Sequence, residues 1–457
     1  MASAAAAGLW YGWLLLRRDA SLTTFGYDQA FFQQVVWNLD HGRWFVSSFN
    51  QGSFLGLHFE PLLVLPAALE LAWPDPRVLS LLAAAALAGL VPSTFLFLRA
   101  LSGRAGLAAA LAIPLPLWPA VQESTRANFH PETIGICAAL LAGWAGLGGR
   151  TAVCWTLALV AVSAKEDQAW TVLVVGLALA VVPASRRLGR RLAAFGLGYG
   201  VLIAGVVMPI LRHGHYVDTD TYYRWLASAS PASLLHALSF PAGWLAALVM
   251  VACAGGLPLL RPVWLLLALP PLAADLLSAH GPQPFLQLQY ALPLLVPILT
   301  AAGQALRGLP EQVTAPGLAL TPVLALAPAL LGLTLGSLPP GPANPDPAAF
   351  QRPPALARLQ ACTSLLPAAA PVAADDPLTP RLASRPSIRE LTGAQEDDYL
   401  VIDRQAVLPA YVKIAERDRV LAEAGRPLLC DDGRFRVLGP VRTAAPPSSP
   451  GPAARPG

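Results

Sequence analysis

The chain contains about 11 apolar runs separated by short polar connections, and these runs leave it few possible architectures. An apolar segment that enters a bilayer must be a helix or part of a closed barrel, because only these structures satisfy their own backbone hydrogen bonds in hydrocarbon. Several runs are shorter than the roughly 20 residues that a span needs, so their boundaries are approximate. The runs lie at about 4–16, 77–98, 105–121, 133–147, 151–164, 169–183, 193–211, 242–257, 263–277, 291–306 and 318–336. We predict an all-α polytopic membrane protein with about 11 transmembrane helices.

The composition agrees with a membrane protein and gives no support to several other classes. Of the 457 residues, 55% are hydrophobic and 13% are charged, about half of the ~25% charged residues in soluble domains. The net charge of +4 is small and dispersed, so nucleic acid is not a predicted partner. The sequence has no CxxC, HExxH, Walker A or GxGxxG pattern, so zinc, P-loop and Rossmann chemistry have no support.

The loop charges predict the orientation of the helices. With the N-terminus inside the cell, alternate loops carry arginine, which is the positive-inside pattern of cytoplasmic loops. The other loops collect carboxylates, so one face of the protein is predicted to be acidic. The arginines are Arg99, Arg104, Arg150, Arg186, Arg187, Arg190, Arg191, Arg261 and Arg307, and the carboxylates are Asp28, Glu60, Glu123, Glu132, Glu166, Asp167, Asp218 and Asp220. An odd number of spans then places the C-terminal region outside.

The transmembrane domain is predicted over 1–337, and its first outer loop over 17–60. This loop is polar and aromatic within an otherwise apolar chain. Asp28 begins a helical pattern whose apolar face carries Phe31 and Val35, and Gly42 is placed to end that helix. Such a helix is expected to lie along the membrane interface, with Trp37 and Trp44 as anchors. Asp28 at its start has two possible roles, a helix cap or a catalytic carboxylate, and the sequence leaves both open.

Three further polar motifs fall in the predicted outer loops. His58 and Glu60 precede Pro61, and the second loop repeats this chemistry as NFHPE at 128–132, with His130 and Glu132. Proline favours the first helical position, and helix N-termini attract anions such as phosphate. The third motif is Lys165-Glu166-Asp167. Capped helix ends and an interfacial salt-bridge cluster are the structural alternatives to a binding site for these motifs.

The C-terminal part of the chain is predicted to form a small extracytoplasmic α/β domain over 348–442, after a proline-rich linker at 338–347 and before a disordered tail at 443–457. Strands are expected at 371–374 and 399–402, followed by a helix near 408–424. A hairpin is expected from 428–430 and 435–438 around Asp431-Asp432-Gly433. The sequence leaves a disulfide between Cys362 and Cys430 open.

Five motifs resemble those of a bacterial family of predicted multi-pass membrane proteins with no assigned function. They are Tyr27-Asp28-Gln29, WNLDHGR at 37–43, HFEP at 58–61, NFHPE at 128–132 and AKED at 164–167. The likeness covers most of residues 20–300. It continues into LTPRLASRP at 378–386 and DDYLVID at 397–403, although Arg381 stands where the family has a histidine. The first loops of this family are similar to those of GT-C glycosyltransferases of the protein mannosyltransferase and aminoarabinose transferase group.

This resemblance implies a GT-C-like fold and a transferase activity. GT-C enzymes take a sugar from a polyprenyl-phosphate carrier at the outer face, and Asp28 matches their acidic residue in the first outer loop. Asp28, as general base, and Glu60 are the predicted catalytic residues, and Lys165 is expected to contact the phosphate. The predicted substrate-binding residues are Tyr27, Gln33, His58, His130, Glu132, Lys165, Glu166 and Asp167. A divalent cation is a possible cofactor, with no ligands assigned.

The partners expected on this basis are the lipid bilayer, a polyprenyl-phosphate-linked sugar and an acceptor of unknown identity, with the protein in the bacterial inner membrane. A transporter or flippase is one alternative, and it predicts ionisable residues near the bilayer midplane, where Asp275 is a candidate. A non-catalytic assembly protein of the cell envelope is another. It predicts that alanine at Asp28, Glu60 and His130 leaves the phenotype intact.

Overall fold

The computed structural model describes residues 2–50, 52–213, 219–310, 320–338, 352–408, 412–422 and 425–441, which are mainly helical with one small sheet. The α-helices are α1 (Ala2–Ser21), α2 (Gly26–Asp40), α3 (Phe54–Leu57), α4 (Val64–Glu70), α5 (Arg77–Ser102), α6 (Ala105–Ala112), α7 (Pro119–Arg126), α8 (Glu132–Leu147), α9 (Thr151–Ala164), α10 (Gln168–Ala180), α11 (Arg186–Leu202), α12 (Met208–Leu211), α13 (Pro231–Leu238), α14 (Pro241–Cys253), α15 (Pro262–Leu265), α16 (Leu269–Leu276), α17 (Leu295–Gly308), α18 (Leu320–Leu335), α19 (Leu356–Thr363), α20 (Thr379–Leu382) and α21 (Ile414–Leu421).

Each predicted apolar run contains helix, but the structure does not confirm 11 spans. Within the described ranges, four helical segments are long and apolar enough to cross a membrane, namely Arg77–Ser102, Ala105–Arg126, Pro183–Leu211 and Pro231–Cys253. The other apolar helices after α1 have 10–17 residues. Proline is one physical reason for the short lengths, because it removes a backbone donor and tightens or ends a helix. Pro293, for example, lies in the 3₁₀ turn Leu292–Leu294 at the start of the shorter segment Leu292–Gly308.

The helices pack into one apolar core, in which α5 contacts both α1 and α8, α8 contacts α9, and α10 contacts α11. The pair α10 and α11 approaches closely at Gly176. A Cβ atom there would overlap the backbone of Ala193, so only glycine permits this distance between the two helices. Small residues allow the same close approach in many membrane bundles.

The C-terminal residues form a five-stranded mixed sheet with the order β2-β1-β3-β5-β4. The strands are β1 (Val372–Ala374), β2 (Ile388–Glu390), β3 (Tyr399–Asp403), β4 (Leu428–Asp431) and β5 (Phe435–Leu438). β1 pairs in parallel with β2 and β3, and β5 pairs antiparallel with β3 and β4. The predicted strands β1, β3, β4 and β5 are confirmed, whereas β2 was not predicted. Cys362 and Cys430 form a disulfide between α19 and β4.

We call residues 352–441 the C-terminal unit. Most of the predicted linker, at 339–347, and the whole predicted tail at 443–457 lie outside the described residues. Of the predicted helix near 408–424, the described residues form α21 over Ile414–Leu421, and 409–411 and 423–424 lie outside the described residues.

The loop helix α2 differs from the interfacial helix that the sequence predicted. It ends at Asp40, and Gly42 follows with a φ of 73°, as expected. However, its uncharged polar side chains, Gln29, Gln33, Gln34 and Asn38, are buried as well as most of its apolar ones. Gln33 Nε2 donates to Ser384 Oγ at 3.2 Å, and Gln34 Nε2 donates to the Arg385 carbonyl at 3.2 Å. The helix is therefore enclosed between the bundle and the C-terminal unit, whose contacts sequence periodicity does not reveal.

Candidate functional site

Asp28 lies in the first turn of α2 with its carboxylate directed at His130. The helix starts at Gly26, and its capping position is Phe25, which offers no side-chain oxygen. Asp28 Oδ2 lies 3.6 Å from His130 Nε2, and the Asp28 side chain is 46% exposed whereas that of His130 is 6% exposed. The backbone amides at the helix start are instead bound by Asp376 of the C-terminal unit. Asp28 is thus not the N-cap, and it remains accessible.

The surroundings of Asp28 favour its ionised form. Burial alone would raise the pKa of Asp28, but the contact with His130 and the charges of His130, His58 and Lys165 lower it below the usual value. These residues come from the second loop, the end of the first loop and the turn before α10. Their shared effect on one carboxyl group places all of them close together, although they are far apart in sequence.

Lys165 and Glu132 form the ion pair at the centre of this region. Lys165 follows α9 and Glu132 begins α8, and Lys165 Nζ lies 2.5 Å from Glu132 Oε1. Burial would lower the pKa of Lys165, but Glu132, Asp167, Glu166 and Glu60 raise it well above the usual value. The lysine is therefore a charged group held among carboxylates. This is the salt-bridge cluster that the sequence offered as the structural alternative.

His58 and Glu166 form a second acid–histidine pair beside the first. Glu166 Oε2 accepts a hydrogen bond of 2.9 Å from the Phe59 amide, and Glu166 Oε1 lies 3.8 Å from His58 Nδ1. Burial alone would lower the pKa of His58, but Glu166 and Glu60 raise it to about 9. Burial would likewise raise the pKa of Glu166, but His58 and Lys165 lower it to about 2. Both groups are charged at neutral pH.

Glu60 is a deeply buried carboxyl group in this region. It precedes the 3₁₀ turn Pro61–Leu63, as the position of Pro61 predicted, and it is 1% exposed. Its Oε2 atom has no hydrogen-bond partner among the described residues. Burial raises the pKa of Glu60 well above the usual value, and Glu132 and Glu166 add to this effect while His58 and Lys165 oppose it. A protonated Glu60 can donate a hydrogen bond, which an ionised carboxylate cannot.

Asp167 and Tyr290 complete the cluster. Burial raises the pKa of Asp167 to about 6, because the opposing charge of Lys165 is outweighed by burial together with Glu132 and Glu166. Tyr290 was not predicted, because a single tyrosine in a loop carries no pattern. Burial raises the pKa of Tyr290 well above the usual value, and among the neighbouring charges Asp28 contributes most and Asp275 also contributes. Asp275 therefore belongs to the same region.

Two predicted substrate-binding residues have other contacts. Tyr27 packs its ring against Phe31 and Phe49 at centroid distances of 6.1 and 5.3 Å. Gln33 is fully buried, and its amide donates to Glu70 Oε2 at 2.9 Å. These contacts stabilise the position of α2 and direct the Gln33 amide to Glu70 and Ser384. For the predicted divalent cation, the described residues contain no group of three or more His, Cys, Asp or Glu side chains arranged to hold a metal ion.

The sequence matches a family model over most of its length. The model is described as "Predicted membrane protein (DUF2079)" and matches residues 18–424. The chain belongs to this family. The match confirms the resemblance drawn from the loop motifs and identifies the chain as a membrane protein. Among curated proteins, none matches this DUF2079 protein.

Two solved structures share the fold of this DUF2079 protein. Both are crystal structures of ArnT from Cupriavidus metallidurans, one bound to undecaprenyl phosphate and one in the apo state. The first has a TM-score of 0.52 and 12% identity, and the alignment covers 95% of this chain and 97% of the other. The second has a TM-score of 0.52 and 13% identity, with coverage of 93% and 96%. The likeness extends through the bundle and the C-terminal unit, and at this identity it shows the fold alone.

Proposed function

We propose that this DUF2079 protein is a glycosyltransferase that moves a sugar from a polyprenyl-phosphate carrier to an acceptor hydroxyl. The fold shared with ArnT supports the proposal, since one of the two ArnT structures holds undecaprenyl phosphate. A multi-pass membrane protein also has direct access to a lipid-linked donor. Fold alone does not assign a reaction, so the proposal depends on the arrangement of side chains at Asp28.

The pair formed by Asp28 and His130 is the observation that carries the proposal. The carboxylate is ionised, partly exposed and 3.6 Å from the imidazole. In the proposed reaction the acceptor oxygen forms a bond to the anomeric carbon while the bond from that carbon to the phosphate oxygen breaks. The acceptor proton passes to Asp28, and the polyprenyl phosphate leaves with the bonding electron pair. Glycosyl transfer builds positive charge on the sugar, so the acceptor needs only partial deprotonation and a weakly basic carboxylate is sufficient.

The leaving phosphate requires positive charge and hydrogen-bond donors. His58 supplies a charge, because its pKa of about 9 keeps the imidazole protonated at neutral pH. Lys165 was expected to bind the phosphate directly, but its ammonium pairs with Glu132 at 2.5 Å and its side chain is 16% exposed. His58, in contrast, lies 3.8 Å from Glu166 and its side chain is 31% exposed. We therefore assign the direct contact to His58 and an electrostatic role behind it to Lys165. Protonated Glu60 supplies a neutral donor in the same region.

We place this cluster and the C-terminal unit at the outer face of the bacterial inner membrane. Helix α10 begins directly after Asp167 and separates the cluster from four exposed arginines at the start of α11. Its 13 residues span about 20 Å at 1.5 Å per residue. Arginines at the opposite end of this helix support the orientation by the positive-inside rule. The four arginines are Arg186, Arg187, Arg190 and Arg191.

Turnover of a polyprenyl-phosphate-linked sugar by the purified protein tests the proposal. We expect Asp28→Asn to lower kcat by about 10²–10⁴-fold, the range for losing a general base. Asp40→Asn is the matched control, because it makes the same change at the other end of α2, and it should retain wild-type turnover. Equal activity of Asp28→Asn and wild type would remove Asp28 as the base. Absence of turnover with any lipid-linked sugar would contradict the transferase itself.

A further inference from the structure

The C-terminal unit reaches across the chain to the start of α2. Asp376 Oδ2 accepts a hydrogen bond of 2.8 Å from the Gly26 amide, and Asp376 Oδ1 accepts one of 3.1 Å from the Tyr27 amide. The first amides of a helix have no partner inside the helix, and a side-chain oxygen at the capping position usually binds them. Here Phe25 occupies that position. The missing acceptor is supplied by a residue 350 positions further along the chain.

We infer that Asp376 is a positioning residue for the reaction, which caps α2 from the C-terminal unit and thereby leaves the Asp28 carboxylate directed at His130. An acidic side chain in the first turn of a helix can turn back to bind unpaired backbone amides at the helix start. Asp28 is such a side chain, and the sequence itself allows it as a cap. Because Asp376 already binds the amides of Gly26 and Tyr27, Asp28 is not needed for this task.

The contact between Asp376 and α2 is held in place from both sides. On the α2 side, Gly26 has no side chain, and a Cβ atom there would overlap the carbonyl of Asp376. On the other side, Arg381 forms ion pairs with Asp19 at the end of α1 and with Asp75 Oδ1, the latter at 3.1 Å. Thr379 Oγ1 also donates to the Asp376 carbonyl at 2.7 Å. These contacts hold the C-terminal unit against the start of α2, and we call this contact between the C-terminal unit and the helical bundle the joint.

Glu390 on β2 shows that this joint lies beside the site. Burial raises the pKa of Glu390 to about 7, and the charges of Asp376 and Asp28 contribute to the shift. Both carboxylates therefore lie within electrostatic range of one side chain of the sheet. A displacement of Asp376 would reach Asp28 within a single helical turn, since only Tyr27 separates Asp28 from Gly26, the first residue of α2.

Two variants of Asp376 separate capping from charge. Asp376→Ala and Asp376→Asn remove the same negative charge, but asparagine keeps an acceptor oxygen and is a good cap. We expect hydrogen exchange at residues 26–30 to become about tenfold faster in Asp376→Ala and to stay near wild type in Asp376→Asn. Asp432→Ala is the matched control, because Asp432 accepts hydrogen bonds from the Arg434 and Phe435 amides in the hairpin of the same unit. It should leave exchange in α2 unchanged.

The positioning role of Asp376 rests on the proposed function. We therefore test it with one measurement of activity and one measurement that does not depend on activity. In turnover assays we expect kcat to fall at least tenfold in Asp376→Ala, with an unchanged KM for the donor, and Asp376→Asn to recover most of the rate. Independently of activity, the infrared band of the Asp28 carboxylate, assigned with Asp28→Asn, should titrate at a higher pH in Asp376→Ala than in Asp376→Asn. Equal exchange and equal Asp28 titration in the two variants would overturn the inference. If the wild type shows no turnover, the proposed function fails, and the exchange and infrared results still decide the positioning of Asp28.

Discussion

The two ends of the first loop carry carboxyl groups in opposite environments. Asp28, at the start of α2, is 46% exposed and lies beside His130, and its pKa is lowered. Glu60, at the end of the loop, is 1% exposed, has one oxygen without a partner among the described residues, and has a raised pKa. The two environments therefore favour the ionised form of Asp28 and the protonated form of Glu60. Such a separation is how several enzymes assign acid and base roles to similar residues.

Lys165 and His58 are electrostatic partners of both ends. Their charges lower the pKa of Asp28 and oppose the rise in the pKa of Glu60. The contrast between the two carboxyl groups therefore depends on burial, on the contact of Asp28 with His130, and on the carboxyl groups of Glu132 and Glu166 near Glu60. Three changes test this difference, and we give them in order of expected effect.

Removal of Lys165 is expected to have the largest effect. Lys165→Met leaves the buried Glu132 carboxylate without its counterion, which destabilises proteins by about 3–5 kcal/mol. Chemical unfolding in detergent measures the loss. The chain has one other lysine, Lys413, which is 72% exposed and pairs with Glu416, so Lys413→Met should change the free energy of unfolding by less than about 1 kcal/mol. A similar effect for both lysines would show that the pair with Glu132 is not buried in solution.

Of the two carboxyl groups, removal of His130 should change the pKa of Asp28 and leave that of Glu60 unchanged. We expect His130→Gln to lower kcat by about 10²-fold and to move the acidic limb of the pH–rate profile upward. The sign follows from the lowered pKa of Asp28, because the active ionised form persists to lower pH while His130 is present. His41→Gln, at the exposed end of α2, is the control. An unchanged acidic limb in His130→Gln would show that His130 does not lower the pKa of Asp28.

Substitution of Glu60 should have the smallest effect. A protonated glutamate and glutamine are similar in shape and both donate hydrogen bonds, so we expect Glu60→Gln to lower kcat by no more than about tenfold. Because the folded-state pKa of Glu60 is raised, wild-type stability is complete at low pH and declines as the pH rises through that value. Unfolding measured from acidic to alkaline pH should show a smaller decline in the glutamine variant. A decline of equal size would mean that Glu60 is already ionised.

Several features of the fold follow from local sequence. The apolar runs predicted the helices, Gly42 predicted the end of α2, and Pro61 predicted a helical turn after Glu60. The Asp431-Asp432-Gly433 turn predicted the β4–β5 hairpin. The number of membrane spans could not be predicted from the sequence, because an apolar composition does not distinguish a helix that crosses the membrane from a short buried helix. Within the described residues, four helical segments are both long and apolar enough to cross a membrane.

The sequence by itself determined which residue types stand at the loop ends, and so which chemistry is available there. The tertiary structure decided how that chemistry is used. It brought Asp28 to His130, held Lys165 with Glu132, and supplied the cap of α2 from Asp376. The physical reason is the range of the interactions involved. Helix and turn preferences act over a few neighbouring residues, whereas burial, ion pairing and a cap from a distant segment depend on contacts that exist only after the chain has folded.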